Sequence, residues 1–284
     1  MARTLDEILN SHRTGQWAVM GVLNVTPDSF SDGGDFLKAG DAVGRAEQML
    51  REGADMIDIG AESTRPGSDP VDADEQIRRL RGVLPAVTQT GAVVSIDTTS
   101  AKVARFALDA GACVVNDVSA CRHDPDMPVL LAESSCAVVL MHMLGKPKTM
   151  QKQPAYDDVV TEVRDFLRER LDVVVEAGVV RERIILDPGI GFGKLLAHNL
   201  ALLARLGELS ALDRPLLVGP SRKRFIGELT GQSEPRLRVP GTLAAVIEAR
   251  RRGATVFRVH DVAETVEALK VADAIAADGR TADG

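Results

Sequence analysis

Three cysteines stand in 284 residues, Cys113, Cys121 and Cys136. The number is odd, and the spacing fits neither a metal site nor a disulfide framework. Reduced, buried thiols beside the middle strands are expected, without a catalytic or cross-linking role. A long apolar run is missing as well: nowhere do about eighteen apolar residues follow one another, so no membrane-crossing helix is expected. The stretch 1–17 carries Asp6, Glu7, His12 and Arg13 and no apolar run. It does not read as a signal peptide, and the cytoplasm is the expected compartment. Basic charge is not in excess. Lys and Arg number 34 against 41 Asp and Glu, a net charge of −7, so no overall positive field recruits a nucleic-acid backbone and no nucleic-acid partner is expected. No low-complexity linker divides the chain. What is present is 45% hydrophobic residues, enough at this length for a large core in one big α/β barrel or in two medium domains.

Short apolar runs alternate with amphipathic helical stretches. Strands are expected at 19–24, 56–60, 93–97, 114–117, 137–141, 184–187, 216–219 and 256–259. Helices are expected at 42–52, 74–90, 101–110, 127–133, 159–177, 199–209, 222–229 and 242–252, each long enough for a right-handed crossover between parallel strands. Gly53-Ala54, Gly111-Ala112 and Gly253-Ala254 each close a helical stretch before a strand, as a left-handed glycine cap does. Eight strands alternating with eight helices predict an α/β fold, a single (β/α)8 TIM barrel. A doubly wound sheet fits less well, because nothing marks a reversal of strand order. The barrel is expected over 18–275, after an N-terminal extension at 1–17 and before a small, polar, disordered tail at 276–284.

Polar groups gather at the carboxyl ends of these strands: Asn24, Asp58 with Glu62, Asp97, Asn116 with Asp117, His142, Asp187, Ser221 with Lys223, and Arg258 with His260. In a barrel those ends converge on one mouth. Taken alone, any of these residues reads more readily as a cap of the next helix; recurrence after all eight strands favours a site. Asp97 and Asp187 end apolar strands, where a carboxylate needs a donor-rich partner, such as an aminopyrimidinone edge, to offset desolvation.

The segment Met20 to Gly34 runs from an apolar strand into an oxygen-rich loop. Asn24, Asp28 and Asp32 can hold a hard cation such as Mg²⁺ or position a charged substrate, and an Asx-rich turn is the plain alternative. Glu62-Ser-Thr-Arg-Pro-Gly67 reads as a second mobile loop. In Gly219-Pro-Ser-Arg-Lys-Arg-Phe225 three cations crowd an expected first helical turn, against the helix dipole. An anionic or electron-rich ligand held by Ser221, backbone N–H groups and the cations resolves the conflict; a solvated basic face is the alternative. Gly189-Ile-Gly-Phe-Gly193 lacks the spacing of a dinucleotide fingerprint and reads as a tight loop bringing Phe192 and Lys194 to a ligand.

Gly-Val-Leu-Asn-Val-Thr-Pro-Asp-Ser-Phe-Ser-Asp-Gly-Gly, Glu-Ser-Thr-Arg-Pro-Gly, Ser-Ile-Asp-Thr, Asn-Asp-Val-Ser, Asp-Pro-Gly-Ile-Gly-Phe-Gly-Lys, Ser-Arg-Lys-Arg-Phe and Arg-Val-His-Asp-Val together resemble the motifs of the dihydropteroate synthases, from Met20 to Val262. The resemblance implies a folate-pathway transferase of the kind sulfonamides inhibit. It would condense 6-hydroxymethyl-7,8-dihydropterin diphosphate with 4-aminobenzoate, giving 7,8-dihydropteroate and diphosphate, with Mg²⁺ as cofactor and a homodimer as assembly. The implied pterin pocket is Asp97, Asn116, Met141, Asp187, Phe192 and Lys223. Asn24, Arg258 and His260 form the implied diphosphate site, Asn24 being the Mg²⁺ ligand. Phe30, Thr64, Arg65, Pro66, Ser221 and Arg222 form the implied aminobenzoate site. The implied catalytic groups are Asp28, Asp32, Asp97 and Lys223, with Asp28, Phe30 and Asp32 closing over the reacting carbon. Two positions depart from the pattern: Leu144 stands where many relatives carry glutamine, and Pro220 precedes Ser221, where it would restrict the aminobenzoate site. A pterin-binding methyltransferase serving a corrinoid protein is the runner-up, and it lacks the Thr-Pro-Asp-Ser-Phe loop and the Ser-Arg-Lys segment. A catalytically silent paralogue would have lost loop residues that are complete here. For a homodimer, Val246, Ile247, Val266 and Leu269 are candidate contact positions, with packing on the barrel as the alternative.

Overall fold

The computed structural model describes residues 3–25, 35–62, 69–145, 150 and 154–281. Among them run eight parallel strands: β1 (Ala18–Asn24), β2 (Met56–Gly60), β3 (Val93–Asp97), β4 (Val114–Asp117), β5 (Ala137–Met141), β6 (Ile184–Asp187), β7 (Leu217–Val218) and β8 (Val256–Val259). The helices are α1 (Leu5–Leu9), α2 (Ser11–Thr14), α3 (Asp35–Glu52), α4 (Ala73–Leu80), α5 (Leu84–Thr88), α6 (Ala101–Asp109), α7 (Met127–Glu133), α8 (Val159–Glu176), α9 (Leu196–Ala204), α10 (Arg224–Thr230), α11 (Val239–Arg251) and α12 (Val262–Thr281). The strand order β6-β5-β4-β3-β2-β1-β8-β7 is that of a (β/α)8 barrel. Its two ends meet through one bridge, Leu186 to Leu216, with the Leu186 N–H donating to the Pro215 carbonyl at 3.0 Å.

Period-2 alternation divides every strand between two cores. Val19, Leu23, Ile57, Ile59, Val94, Ile96, Val138, Leu140, Leu186, Val218 and Phe257 pack outward with the helices. Ala18, Met20, Met56, Val114, Ala137, Val139, Ile185, Leu217 and Val256 fill the inside. The N-terminal extension belongs to that inner core. Thr4 and Glu7 form a capping box that starts α1, and α1 lays Ile8 and Leu9 against the inner residues. The Ser11 hydroxyl meets Thr255 Oγ1 at 2.8 Å. The extension is thus the floor of the barrel.

Several expected boundaries shift for local reasons. The helix expected at 74–90 breaks into α4 and α5 because Pro85, lacking an N–H, sits in the opening turn of the second piece. The one expected at 199–209 becomes α9 followed by a 3₁₀ turn, Leu206–Leu212. The stretch 276–281, expected as disordered tail, continues α12. Gly53, Gly111 and Gly253 adopt φ of 100°, 101° and 96°, the left-handed caps their position required. Cys121 and Cys136 are buried and Cys113 half-buried, all three as free thiols. Val246, Val266 and Leu269 are buried in the core, so they pack on the barrel.

Candidate active site

The alternation that separates the two cores also selects the site. On β1 the inward set continues from Met20 to Asn24, on β3 from Val93 to Asp97, on β4 from Val114 to Asn116, and on β5 from Ala137 to Met141. β6 continues from Ile185 to Asp187, and β8 from Val256 through Arg258 to His260. The floor is apolar and the mouth polar. Asp117 and His142, also at strand ends, fall on the opposite parity and do structural work. The Asp117 carboxylate accepts from the Ser119 N–H and hydroxyl and from the Cys121 N–H, at 2.7, 2.6 and 3.1 Å. Glu62 accepts from the Val71 N–H and Gln76 Nε2 and so ties the chain just beyond β2 to α4.

Beneath the mouth lies a network that sequence reading left incomplete. Asp58 is wholly buried. It accepts from Ser95 Oγ at 2.6 Å, Asn116 Nδ2 at 3.1 Å and Arg258 Nε at 2.6 Å. Arg258 Nη2 donates to Asp97 Oδ2 at 2.9 Å, while Asp97 Oδ1 is buried and accepts from nothing among the described residues. Burial pushes the Asp97 carboxyl up to about 7, against the pull of Arg258 and with help from Asp58, Glu62 and Asp117. Arg258 itself stands above its ordinary value because Asp58 and Asp97 outweigh its burial.

Asp187 and Lys223 face each other from β6 and from the segment before α10. Burial raises the Asp187 carboxyl, and Lys223 together with the Gly189 N–H, which donates to Oδ1 at 2.7 Å, opposes the rise. Burial lowers the Lys223 ammonium to about 7, against Asp187. Its Nζ lies 4.3 Å from the centre of the Phe192 ring and donates to the Ile190 carbonyl. The glycines make this fit possible. A Cβ on Gly191 (φ 84°) would stand 2.8 Å from Lys223 Cδ, and one on Gly189 (φ 68°) only 1.9 Å from the His142 carbonyl oxygen.

Two sequence expectations are corrected here. Lys194 does not reach a ligand: it is buried behind the loop, donating to the Phe192 carbonyl at 3.0 Å and meeting His142 Nδ1 at 2.9 Å. Burial draws its amine well below the ordinary value. Burial and the neighbouring Lys194 hold His142 neutral, down at about 2. Nor do three cations crowd a first helical turn. Arg222 has φ 58° and Lys223 is extended, so α10 starts only at Arg224, which is exposed and paired with Glu228 at 2.6 Å. Arg222 is ion-paired to Asp261, with Nε at 3.0 Å from Oδ2. The chain needs no ligand to explain that cluster. Ser221 Oγ meets His260 Nδ1 at 3.0 Å, which joins two residues expected in separate subsites.

Asp97, Asn116, Met141, Asp187, Phe192, Lys223, Arg258, His260, Ser221 and Asn24 thus gather at one barrel end. Asp28, Phe30, Asp32, Thr64, Arg65 and Pro66 lie outside the described residues. Sequence reading did not assign Asp58 a partner, although its inward parity at the same strand level as Ser95 was the available signal.

A parallel barrel with paired buried carboxylates, a half-buried lysine and an arginine at its mouth suits a class of enzyme that holds a flat, donor-rich heterocycle. A family model described as pterin binding enzyme matches residues 20–260. The chain belongs to that family, in its dihydropteroate synthase branch. The dihydropteroate synthase of Synechocystis sp. is 46% identical over 258 residues, 90% of this chain and 89% of that one. That of Escherichia coli K12 is 47% identical over 257 residues, 90% of each chain. Among solved structures, Xanthomonas albilineans dihydropteroate synthase with 4-aminobenzoic acid superposes with a TM-score of 0.86 at 48% identity, over 92% of this chain and 94% of that one. The same organism's enzyme in complex with 7,8-dihydropteroate gives 0.83 at 44% identity, over 97% and 96%.

Proposed function

We propose that the chain condenses 6-hydroxymethyl-7,8-dihydropterin diphosphate with 4-aminobenzoate to give 7,8-dihydropteroate and diphosphate, a transferase step of folate biosynthesis. The carrying observation is the buried Oδ1 of Asp97, without a partner among the described residues, at the same barrel mouth as the Asp187 carboxylate and the Lys223 ammonium. A buried acceptor without a donor is costly, and a pterin ring supplies N–H donors. Asp97 and Asp187 accept from the ring, Lys223 donates to its acceptors, and Met141 and Phe192 cover its faces.

In the reaction the bond from the pterin CH₂ to the diphosphate oxygen breaks, and positive charge builds on the pterin. Asp97 and Asp187 stabilise that charge, while Arg258 and His260 stabilise the departing anion. The weakly nucleophilic amine of aminobenzoate then forms the new C–N bond and releases its proton. Ser221, bonded to His260, places the aminobenzoate side next to the leaving group, and Arg222 lies one residue on.

Among the described residues, Mg²⁺ fits this mouth only together with the diphosphate. Among the described residues no group of three His, Cys, Asp or Glu side chains gathers to hold an ion. Asn24, half-buried at the end of β1, offers one amide oxygen, which suits a hard ion that takes its other ligands from phosphate and water. Bound there, Mg²⁺ would neutralise charge on the leaving diphosphate. The assembly we infer is a homodimer, supported by the exposed Val271 and Ile275 on α12; sedimentation equilibrium tests it.

The test of function is direct. Purified protein, dihydropterin diphosphate, Mg²⁺ and labelled 4-aminobenzoate should give labelled dihydropteroate and diphosphate in equal amounts. Methyl transfer to a corrinoid protein in place of these products would overturn the proposal.

A further inference from the structure

Asp58 carries no assigned contact with substrate, yet two residues that do are bonded to it. Wholly buried on β2, it takes Arg258 Nε at 2.6 Å and Asn116 Nδ2 at 3.1 Å, with Ser95 Oγ at 2.6 Å fixing the carboxylate from β3. Arg258 is therefore held at both ends, by Asp58 through Nε and by Asp97 Oδ2 through Nη2 at 2.9 Å. A pterin that donates into Asp97 finds one oxygen without a partner among the described residues and the other already taken by arginine. If Arg258 then left Asp97 with no other anion beside it, it would become a half-buried, uncompensated charge.

We propose that Asp58 is a positioning residue of the reaction: it keeps hold of Arg258 by Nε while the pterin displaces the guanidinium from Asp97, so that the far nitrogens can meet the diphosphate. The inference deepens the functional reading above and rests on it. The charged groups facing this pair come from several elements. Asp97 is influenced by Arg258, Asp58, Glu62 and Asp117, and Arg258 also by Asp187, which in turn faces Lys223 and Lys194. Within that set Asp58 and Asp97 are like charges sharing one cation. Neutralising Asp58 hands the arginine to Asp97 and makes it harder for a pterin to displace.

Asp58→Asn preserves the shape and keeps one oxygen for Ser95 or Asn116. The KM for the pterin diphosphate should rise ~10-fold or more, the scale of one charged hydrogen bond, with the KM for 4-aminobenzoate within about two-fold of wild type. The acid limb of the pH profile should move to lower pH, because Asp97 loses a like-charged neighbour and gains an undivided Arg258. General loosening of the site would raise both KM values together and leave the limb where it was, and that result would overturn the proposal. Binding of 6-hydroxymethylpterin, followed by fluorescence, needs no turnover. It should weaken by a similar factor, and unchanged binding contradicts the proposal whether or not the wild-type protein makes dihydropteroate. If Asp58→Asn fails to fold, the double variant with Arg258→Met removes both charges of the pair. Its kcat/KM should match that of Arg258→Met alone within about two-fold, and a further tenfold loss would show that Asp58 acts by another route.

Discussion

Asp97 and Lys223 bring opposite charges into one buried mouth, and burial moves each toward neutrality, to about 7 in both cases. For Asp97 the folded value lies above the unfolded one. Its contribution to stability is full at acidic pH and is lost as pH rises through about 7. Lys223 is depressed, so its contribution is full above its ordinary 10.5 and is lost as pH falls through about 7. Function asks for both charged forms. The free enzyme should therefore show a bell-shaped profile of kcat/KM for the pterin substrate, falling below about 7 as Asp97 gains a proton and above about 7 as Lys223 loses one. Initial-rate measurements across pH 5 to 9 check this (about the range where both limbs show), and a flat acid side would contradict it. At this scale the sequence displayed the strand-end positions of Asn24, Asp97, Asn116, Asp187, Arg258 and His260. It did not display partnership: the Asp58–Arg258 bond joins residues 200 apart, and Lys194 shares a motif with Phe192 yet turns into the core.

Two elements fix the geometry of the mouth from above and below. The loop from Gly189 to Gly193 brings Phe192 against Lys223, and it can do so only because its glycines take positive φ. Gly189→Ala combines a left-handed conformation, worth about 1–2 kcal/mol on its own, with a Cβ 1.9 Å from the His142 carbonyl oxygen. Urea unfolding should show a loss of more than ~2 kcal/mol, and pterin binding should weaken with it. At the other end, α1 forms the floor. Ile8→Ala should cost about 2–5 kcal/mol while leaving KM for both substrates unchanged where the protein is folded, since Ile8 packs far below the mouth. The strands were legible because each is a short apolar run with a polar group at or just beyond its end, several of them after a glycine cap such as Gly53, Gly111 or Gly253. Less legible were features set by single residues: Pro85 splitting α4 from α5, and Arg222 at positive φ delaying α10. The role of α1 escaped because Ile8 and Leu9 are two apolar residues in a short, otherwise polar stretch, and only the inner face of the barrel gives them a partner.

At the scale of the whole molecule, the barrel is a continuous ladder interrupted at one seam. β7 contributes two residues, and β6 and β7 are joined by the single bridge from Leu186 to Leu216. Hydrogen exchange should find the amides of β7 less protected than those of β2 and β3, which share five register pairs. Uniform protection around the barrel would contradict that picture. The seam lies between Asp187 and the segment carrying Ser221 and Lys223, so the weakest closure of the barrel falls within the site. The central claim is that the charges at this mouth carry the condensation, and the rates of Asp97→Ala and Lys223→Ala test it most directly. Each variant should keep a cooperative thermal transition and lose ~10²–10³-fold or more in kcat/KM for dihydropteroate formation. A folded variant that retains most of the wild-type kcat would contradict the account.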